Sequence, residues 1–514
     1  MSMAPRPHWL FGDQLGPHFL DPRHGGPDDR APVIMIEARS VLRRRRFHRA
    51  KAHLILSAMR HRAAELGDRV TYLRTETYAE GLEQVRGRRD PAPLTVRHPT
   101  SRRALDFVSA RENVEVLPPK GFLVAQEDFA EWTARNKGQG KGAGAGALRL
   151  EGFYRWVRER HDLLMDGDDP AGGRWNLDHD NREPPPRGQD TLDVRGPWRP
   201  TEDEIDDEVR RDLDRWERDG EVSFVGRDGP RRFPATRREA RSALRHFVAH
   251  RLAGFGRHED AMLAADPVMS HSLLSVPLNL GLLDPAECVE LAEQAYRSGD
   301  APLNSVEGFV RQIAGWREYV WHLYWHFGEE YRHRNALRHT APLPDWFLDL
   351  DADAVTANCL STVLAQVRDT GWTHHIPRLM VLGSRALQDG WDPEAVTDWF
   401  HRCFVDGYDW VMVPNVVGMS QYADGGMMTT KPYTSGGAYI NRMSDLCAPC
   451  AYRPTHRTGD EACPYTTGYW SFLHRHRTRL STNHRTARAV KGLDRLKDLR
   501  ELLDLTAERG DAPP

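Results

Sequence analysis

Short apolar runs alternate with amphipathic stretches along the first quarter of the chain. A helical apolar pattern, carried by Leu54, Ile55, Ala58, Met59 and Ala63, lies between two strand-like runs. The strand-like runs are His8–Phe11, Val33–Ile36, Val70–Leu73, Leu94–Val96 and Val114–Leu117. Such alternation is typical of βαβ units, so residues 1–125 are predicted to form an α/β domain around a doubly wound parallel sheet.

The turn after the first predicted strand reads Gly12-Asp13-Gln14-Leu15-Gly16. In many α/β folds a dinucleotide pyrophosphate is held at this turn by the pattern GxGxxG, whose glycines let the backbone approach the phosphates. Because that pattern is absent, we do not expect a pyrophosphate site in this domain.

Residues 126–235 are predicted to connect two domains, because their composition shifts to Gly, Pro and charged residues. Within this segment, Phe153–Leu164 has a helical pattern and Pro184-Pro185-Pro186 interrupts regular structure. The run Gly138–Gly144 contains Lys141 but lacks the GxxxxGK[ST] pattern of a phosphate loop, so a flexible linker is the preferred interpretation.

From Thr236 onwards the apolar positions recur with helical spacing. Thr236 and Glu239 form a capping-box pattern at the start of one helix. Asp392-Pro393 places a capping residue before a proline that suits the first helical position. No clear strand pattern follows, so residues 236–445 are predicted to form a large all-α domain, and 446–514 a cap with a basic tail.

The composition narrows the class of protein. Hydrophobic residues make up 39% and charged residues 28% of the 514 positions, which fits a soluble globular chain of several domains. No apolar run reaches the roughly 18 residues that span a bilayer, and no secretory signal follows Met1, so a cytoplasmic protein without membrane contact is expected. The formal net charge of −3 does not mark a general polyanion binder, so any surface for nucleic acid has to be local.

Three cysteines lie close together near the C-terminal end of the chain. Cys447 and Cys450 form a CxxC turn, and Cys463 follows with a proline after it. The two sulfurs of a CxxC turn can converge on one metal centre, but a four-cysteine zinc ribbon would need a second CxxC. A Cys-Pro end and a remote fourth ligand suit a cubane iron–sulfur cluster. The spacing leaves three remote candidates open, which are Cys288, Cys359 and Cys403.

Several stretches, read together, resemble one family. They are Leu10–Leu15, Gly172–Asn176, Phe255–Ala261, Arg311–Tyr319, Trp372–Met380 and Tyr439–Cys447. In combination they are similar to the iron–sulfur bacterial cryptochromes and photolyases, the prokaryotic (6-4) photolyase group. The resemblance implies an N-terminal α/β antenna domain and a helical domain that holds folded FAD. It also implies a [4Fe-4S] cluster in which Cys359 is the fourth ligand beside Cys447, Cys450 and Cys463.

The activity implied by the resemblance is light-dependent repair of (6-4) pyrimidine photoproducts in UV-damaged DNA, by electron transfer from reduced FAD. A monomer is expected. Photolyases extrude the damaged bases into a pocket. Reversal of this lesion also requires proton transfer by a group that titrates near neutral pH, which suits histidine. His374 and His375 are therefore the predicted catalytic residues, with His374 as the proton donor and His375 as its partner.

The predicted flavin-binding residues come from the same resemblance. A pyrophosphate needs backbone N–H groups, hydroxyls or the start of a helix, and the run Ser270–Ser275 precedes an apolar helix. Asp406 would accept a hydrogen bond from a ribityl hydroxyl or from the flavin N3–H. The predicted set consists of Ser270, His271, Ser272, Leu273, Ser275, Arg311, Trp316, Arg317, Asp406 and Asn415.

One predicted pocket position departs from the family pattern. Met412 falls where a polar or acidic residue commonly faces flavin N5, and a thioether is only a weak hydrogen-bond acceptor. This departure weakens repair relative to signalling and favours a second interpretation, a blue-light photoreceptor that signals through a protein partner and repairs nothing. Trp399 is a candidate electron relay, and the adjacent Phe400 is redox-inert where relatives can carry Tyr.

The resemblance also implies an antenna pigment, expected to be 6,7-dimethyl-8-ribityllumazine, at the carboxyl edge of the sheet, where ligands of α/β folds bind. Glu37 ends the second predicted strand, and Asp13 and Gln14 follow the first. The polyol and ring amides of the pigment are assigned to these three side chains. Asp13 also suits the cap of the next helix.

Two basic stretches remain. Arg43–Arg46, together with His48, Arg49 and Lys51, is interpreted as a solvated helical face. Residues 471–500 contain nine Lys or Arg against two Asp, and phosphate contacts from them would strengthen DNA binding without sequence preference. A disordered tail is the other interpretation of this segment. For the whole chain, a structural zinc protein with a nucleic-acid-binding helical domain is the alternative outside the family.

Overall fold

The computed structural model describes residues 6–24, 26–27, 30–86, 93–136 and 148–514, so the predicted linker Gly138–Gly144 lies outside the described residues. A five-stranded parallel sheet with the order β3-β2-β1-β4-β5 forms the N-terminal part. Its strands are His8–Trp9 (β1), Val33–Ala38 (β2), Val70–Thr75 (β3), Leu94–Arg97 (β4) and Val114–Leu117 (β5). The order runs outward in both directions from β1, which confirms the predicted doubly wound sheet.

Both faces of this sheet are covered by helices, as parallel strands require. On one face, Ile34 and Ile36 of β2 pack with Leu82 and Val108 from the helices Tyr78–Arg86 and Arg102–Ser109. On the other face, side chains of the helix Arg49–Leu66 join Val33 and Met35 in a core that continues into the helical part of the protein. The sheet domain and the helical part therefore share apolar packing.

The predicted connecting segment contains more regular structure than the sequence indicated. The helical pattern near Phe153 forms the helix Leu150–His161. A second helix, Glu204–Arg218, was not predicted. Asp203 and Asp206 form its capping box, and its apolar side chains pack against the helix Arg49–Leu66. Its charged composition hides an apolar stripe at helical spacing, which is formed by Val209, Leu213 and Trp216.

From residue 236 the described chain is helical apart from loops and isolated bridges. Thr236 and Glu239 form the predicted capping box, and Asp392 accepts the predicted cap hydrogen bond from the Ala395 N–H. The α-helices of eight or more residues are Arg237–His250, Pro285–Arg297, Leu303–Val310, Glu318–Phe327, Asn358–Thr370, Pro393–Cys403, Pro464–Arg475 and Leu499–Arg509. Among the described residues, no helix combines the length and the apolar character needed to cross a bilayer.

The basic segment 471–500 is folded. It contains the end of Pro464–Arg475 and the short helices Arg477–Ser481 and Ala487–Lys491. Leu480 and Val490 pack in one apolar cluster with Leu337 and Tyr422. The interpretation of this segment as a disordered tail was therefore wrong, because its apolar positions are buried against the helical domain.

Candidate functional site

A cavity of about 1850 Å³ opens into the helical part of the protein. Ser270 and Trp399 are buried and do not line it. The predicted residues that do line it are His271, Ser272, Leu273, Ser275, Arg311, Trp316, Arg317, His374, His375, Asp406, Met412 and Asn415. The structure therefore brings most of the predicted catalytic and flavin-site residues to one cavity.

Three π-helical segments contribute to the wall, and these are Arg311–Arg317, Pro377–Gly383 and Pro414–Ser420. A π turn contains an extra residue compared with an α turn, and such turns are frequent at functional sites. Proline begins the second and the third segment, and Pro414 directly continues the helix Asp409–Val413. The wall thus follows local departures from α-helical geometry on three separate helices.

His271, His374 and His375 form a histidine cluster in the wall. The rings of His271 and His374 stack with centroids 4.3 Å apart, and the ring of His375 lies 5.4 Å from His271 and 5.9 Å from His374. Nε2 of His375 lies 3.5 Å from Oδ1 of Asp260, and its side chain is 47% exposed. His374 is buried, and its Nδ1 has no hydrogen-bond partner among the described residues.

The surroundings of the histidine cluster shift the pKa values of His374 and His375 in opposite directions. Burial lowers the pKa of His374 well below its ordinary value, and the charges of His271, His375 and Arg378 lower it further. Burial opposes a charge on His375 as well, but the Asp260 hydrogen bond raises the pKa of His375 overall. Because adjacent imidazoles repel each other's charge, His375 is the member that holds a proton.

The carboxyl groups of Glu259 and Asp260 lie beside the histidine cluster, and neither residue was predicted to have a role there. Glu259 is buried and accepts a hydrogen bond from Nε2 of Gln312 at 2.7 Å. Burial raises the pKa of Glu259 to about 7, although the positive charges of His375 and Arg311 oppose the shift. Asp260 is the partner of His375. Both carboxyl groups lie in the stretch Phe255–Ala261, which carried part of the family resemblance but no assignment.

Asp406 is engaged by side chains from two other elements. Its carboxylate accepts Nη1 and Nη2 of Arg378 at 2.9 and 3.0 Å, and the Ser275 hydroxyl at 2.8 Å. Arg378 also donates to the main-chain oxygen of Thr373. Arg378 was not predicted as a site residue, although it lies four residues after His374 in the stretch Trp372–Met380 that resembles the family. Asp406 is thus a fixed anion in the wall.

Two residues in left-handed conformations turn the chain at the run Ser270–Ser275. Met269, directly before the run, has a φ of 47°, and Leu273 within it has a φ of 59°. The buried guanidinium of Arg251 donates to the main-chain oxygens of Met269 and His271 and so fixes the turn. Ser270 Oγ is buried without a partner among the described residues.

Two arginines supply positive charge at the cavity, and Arg311 is buried while Arg317 is partly exposed. Arg311 pairs with Asp178 at 3.0 Å and with Glu307 at 3.3 Å. Arg317 donates to the main-chain oxygen of Gly121 at 2.8 Å, and its Nε has no partner among the described residues. A dinucleotide cofactor carries two phosphate charges, so these arginines and the volume of the cavity fit a group such as FAD.

Met412 is buried in the wall, whereas Asn415 donates its amide hydrogen to the main-chain oxygen of Val411 at 2.8 Å. Phe400 lines the cavity, and Trp399 contacts it edge-to-face with centroids 5.1 Å apart. Trp399 also donates to the main-chain oxygen of Phe347 at 3.0 Å. Trp399 therefore lies one aromatic ring behind the cavity surface.

Cys359, Cys447, Cys450 and Cys463 lie together in a second site, and none of them is in a disulfide. Burial raises the pKa of Cys359 well above its ordinary value, and the charges of the other three cysteines raise it further. The backbone at Gly437 approaches them closely, because a Cβ at this position would lie 2.7 Å from Sγ of Cys463. Four clustered cysteines fit the ligand set of an iron–sulfur cluster.

The predicted antenna residues lie at the carboxyl edge of the sheet, and their side chains already have partners. The Asp13 carboxylate accepts the hydroxyl of Thr100, and Gln14 donates to the main-chain oxygens of Arg97 and His98. Gln14 Oε1 is buried without a partner among the described residues. Both oxygens of Glu37 are occupied, one by Arg60 at 2.8 Å and the other by Arg60 and Tyr72 at 3.1 and 2.7 Å. A pigment would have to compete with these contacts at Glu37.

Basic and aromatic side chains surround the mouth of the cavity. The basic lining residues near the C-terminal segment are Lys431, Arg442, Arg457 and Arg485. The aromatic ones are Tyr433, Tyr439 and Trp470. Arg485 belongs to the basic segment 471–500, so that segment reaches the cavity. The predicted solvated face of Arg43–Arg46, His48, Arg49 and Lys51 was wrong for His48 and Lys51, because both are buried. Arg45 pairs with Asp398 at 2.6 Å.

Comparison with solved structures identifies the class of fold. A bacterial class III photolyase from Agrobacterium tumefaciens matches with a TM-score of 0.53 at 16% identity, covering 86% of this chain and 87% of that one. A cryptochrome from Synechocystis sp. PCC6803 matches with a TM-score of 0.52 at 15% identity, covering 86% of this chain and 89% of that one. The fold is therefore that of photolyases and cryptochromes.

Sequence comparison assigns the family. A profile of the family described as "Deoxyribodipyrimidine photo-lyase-related protein" matches residues 8–221. A protein named (6-4) photolyase from Agrobacterium fabrum (strain C58 / ATCC 33970) is 38% identical over 496 residues, which cover 93% of both chains. The chain belongs to this photolyase-related family, which confirms the predicted relationship.

Proposed function

We propose that this protein repairs (6-4) pyrimidine photoproducts in DNA in a light-dependent reaction, with FAD bound in the large cavity. The histidine cluster in the cavity wall, with Asp260 beside His375, is the observation that carries the proposal. Reduced FAD, when bound and excited by light, supplies the electron that the reversal of the lesion needs. Arg311 and Arg317 would hold its phosphates, and Trp316 lies beside them in the cavity wall.

The proton in this proposal comes from His375. Asp260 keeps the His375 imidazole charged, and the exposed side chain faces the space that an extruded base would enter. His374 stays neutral, and its buried Nδ1 has no hydrogen-bond partner among the described residues. This division reverses the roles predicted from the sequence, because Asp260 and Glu259 favour a charge on His375, whereas burial lowers the pKa of His374 without a carboxylate to oppose it.

The mouth of the cavity suits single nucleotides extruded from a duplex. Arg442 and Arg485 would contact phosphates on either side of the lesion, which favours binding independent of sequence. Tyr433, Tyr439 and Trp470 offer rings on which exposed bases can stack. UV-damaged DNA is therefore the proposed partner.

The four clustered cysteines are proposed to hold a [4Fe-4S] cluster. Their placement beside the buried cluster of Leu360, Val363 and Tyr465 fits a structural role for this group. The antenna proposed for the sheet edge is 6,7-dimethyl-8-ribityllumazine, with Asp13 and Gln14 as contacts. Gln14 Oε1 is the acceptor that remains open for a pigment hydroxyl or N–H.

Repair of an oligonucleotide that contains a single (6-4) photoproduct tests the main proposal. Wild-type protein should restore the bases under blue light, and His375→Ala should lose at least about 100-fold in rate while it retains flavin. His246→Ala, an exposed histidine outside the cavity, is the matched control. A repair rate in His375→Ala equal to that of the wild-type protein would refute the assignment of His375 as the proton donor.

Met412 supports a second candidate function, a blue-light photoreceptor without repair activity. Its thioether lies in the cavity wall at a position where hydrogen bonding would stabilise a reduced flavin. A receptor would signal through a protein partner. Light-dependent flavin chemistry without any restoration of damaged DNA would favour this function over repair.

A further inference from the structure

Lys51 is a buried cation of the sheet domain that lies behind the cavity wall. The residue is 3% exposed. Its Nζ donates to the main-chain oxygen of His401 at 2.6 Å and to that of Gly407. The rings of Phe47 and Tyr408 lie 5.1 and 5.5 Å from Nζ. An ammonium group is expensive to bury, so these contacts are what allow it to lie there.

The two carbonyl groups flank the turn that presents Asp406. His401 lies in the last turn of the helix Pro393–Cys403, and Gly407 directly follows Asp406. The turn is tight, since a Cβ on Gly407 would lie 2.7 Å from the main-chain oxygen of His401. Lys51 therefore joins the end of the helix to the end of the turn. Burial lowers the pKa of Lys51 to about 7, and the charge of Asp406 opposes the shift.

We propose that Lys51 is a positioning residue for the flavin site, acting through the turn 401–407 to hold the Asp406 carboxylate in the cavity wall. The sheet domain would then contribute to flavin binding without touching the cofactor. This inference rests on the proposed function, because it takes Asp406 to face FAD. Arg378 fixes the carboxylate from the cavity side, and Lys51 fixes its backbone from the domain interface.

Domain docking alone does not explain these contacts, because neighbouring residues already provide it. Arg45 pairs with Asp398 at 2.6 Å, and His48 bonds the main-chain oxygen of Val367 at 2.8 Å. Neither contact involves the turn that carries Asp406. Arg45→Met is therefore a matched control, since it removes a cation from the same interface and leaves the turn untouched.

Flavin binding to the full-length protein tests the inference. FAD is removed and added back, and its dissociation constant is measured from the quenching of flavin fluorescence. Lys51→Met should weaken FAD binding about tenfold, because two hydrogen bonds from a charged donor are lost. Arg45→Met should change the constant less than twofold. Amide hydrogen exchange at residues 404–409 of the flavin-free protein should become faster in Lys51→Met only.

A double-mutant cycle separates positioning from a general loss of stability. In an Asp406→Asn background, Lys51→Met should weaken FAD binding less than threefold further, because both changes act on one carboxylate. Lys51→Gln, which keeps a neutral donor, replaces Lys51→Met if that variant fails to fold. Wild-type affinity in both Lys51 variants would overturn the inference. A wild-type protein that takes up no FAD would instead refute the proposed function.

Discussion

The imidazole of His375 lies 3.5 Å from the carboxylate of Asp260, at the exposed end of a cluster whose other members are buried. This pairing decides which histidine carries the proton. Glu259, His271, His374 and Arg378 are the other titratable or charged groups that face His375. Of these four groups, only Glu259 favours a positive charge on His375, as Asp260 does.

The pH dependence of repair should report this pairing. A histidine acid works below its pKa, and the raised pKa of His375 extends activity above about pH 6.5, the ordinary value. Activity should then fall as the pH rises through the raised pKa. Asp260→Asn removes the charge that raises this pKa, so the decline should begin at lower pH. Initial repair rates between pH 5.5 and 9 measure the shift. The exposed Asp504→Asn is the control, and identical profiles would contradict the role of Asp260.

Removal of one clustered cysteine should remove the metal. Cys359→Ala is expected to lose most of its iron and acid-labile sulfide, because a cubane cluster needs all four thiolates. Cys288→Ala changes an equally buried cysteine outside the cluster and should keep the wild-type iron content. Metal analysis of anaerobically purified protein decides the question. Wild-type iron in Cys359→Ala would refute the ligand assignment, and zinc without iron would refute the cluster.

The buried pair of Arg378 and Asp406 should be costly to break. Arg378→Met leaves the Asp406 carboxylate buried without its cation, which is expected to lower the free energy of unfolding by about 3 kcal/mol. The double variant with Asp406→Asn should recover part of this loss. Urea unfolding of the flavin-free protein measures both. Arg241→Met is the control, because it breaks a more exposed ion pair with Glu287 and should lower the free energy of unfolding by less than about 1 kcal/mol. Equal losses of stability in Arg378→Met and Arg241→Met would contradict the prediction.

The salt dependence of DNA binding should identify the basic mouth of the cavity. Each phosphate contact contributes about 0.9 to the slope of log affinity against log salt for a duplex. Arg442→Ala and Arg485→Ala should each reduce the slope by about this amount, equally for different sequences. Arg500 is 97% exposed and is not part of the cavity lining, so Arg500→Ala should leave the slope unchanged. Unchanged slopes in all three variants would place the DNA elsewhere.

The sheet and the helix caps could be predicted from the sequence because they depend on local patterns. The first four residues of β2, Val33–Ile36, are all apolar, and the Thr236 capping box needs only residues three apart. The helix Glu204–Arg218 was missed because charged residues dominate its composition and its apolar stripe packs on a distant helix. Its signal, Asp203 three residues before Asp206, could have revealed its start.

The candidate site was predictable where a motif names the residues, and less so where contacts cross the chain. The family motifs named His374, which lines the cavity, and Cys359, which lies with the other three cysteines. Asp260 and Arg378 also lie in stretches that resemble the family. Their roles depend on distances to other side chains, which the spacing of residues along the chain does not give. Lys51 was predicted to lie on a solvated face, and its contacts with the turn 401–407 could not be predicted because they join residues about 350 positions apart.

The docking of the helix Arg49–Leu66 against the helical part has a consequence for unfolding. His48, which caps this helix, and Lys51 in its first turn are buried against the helical part, and Leu54 belongs to the shared core. Separating the sheet domain from the helical part would leave the Lys51 ammonium without its hydrogen-bond acceptors and would expose apolar side chains to water. This cost exceeds the conformational entropy gained by a local separation. The sheet domain and the helical part are thus expected to melt in one cooperative transition, as a single calorimetric peak.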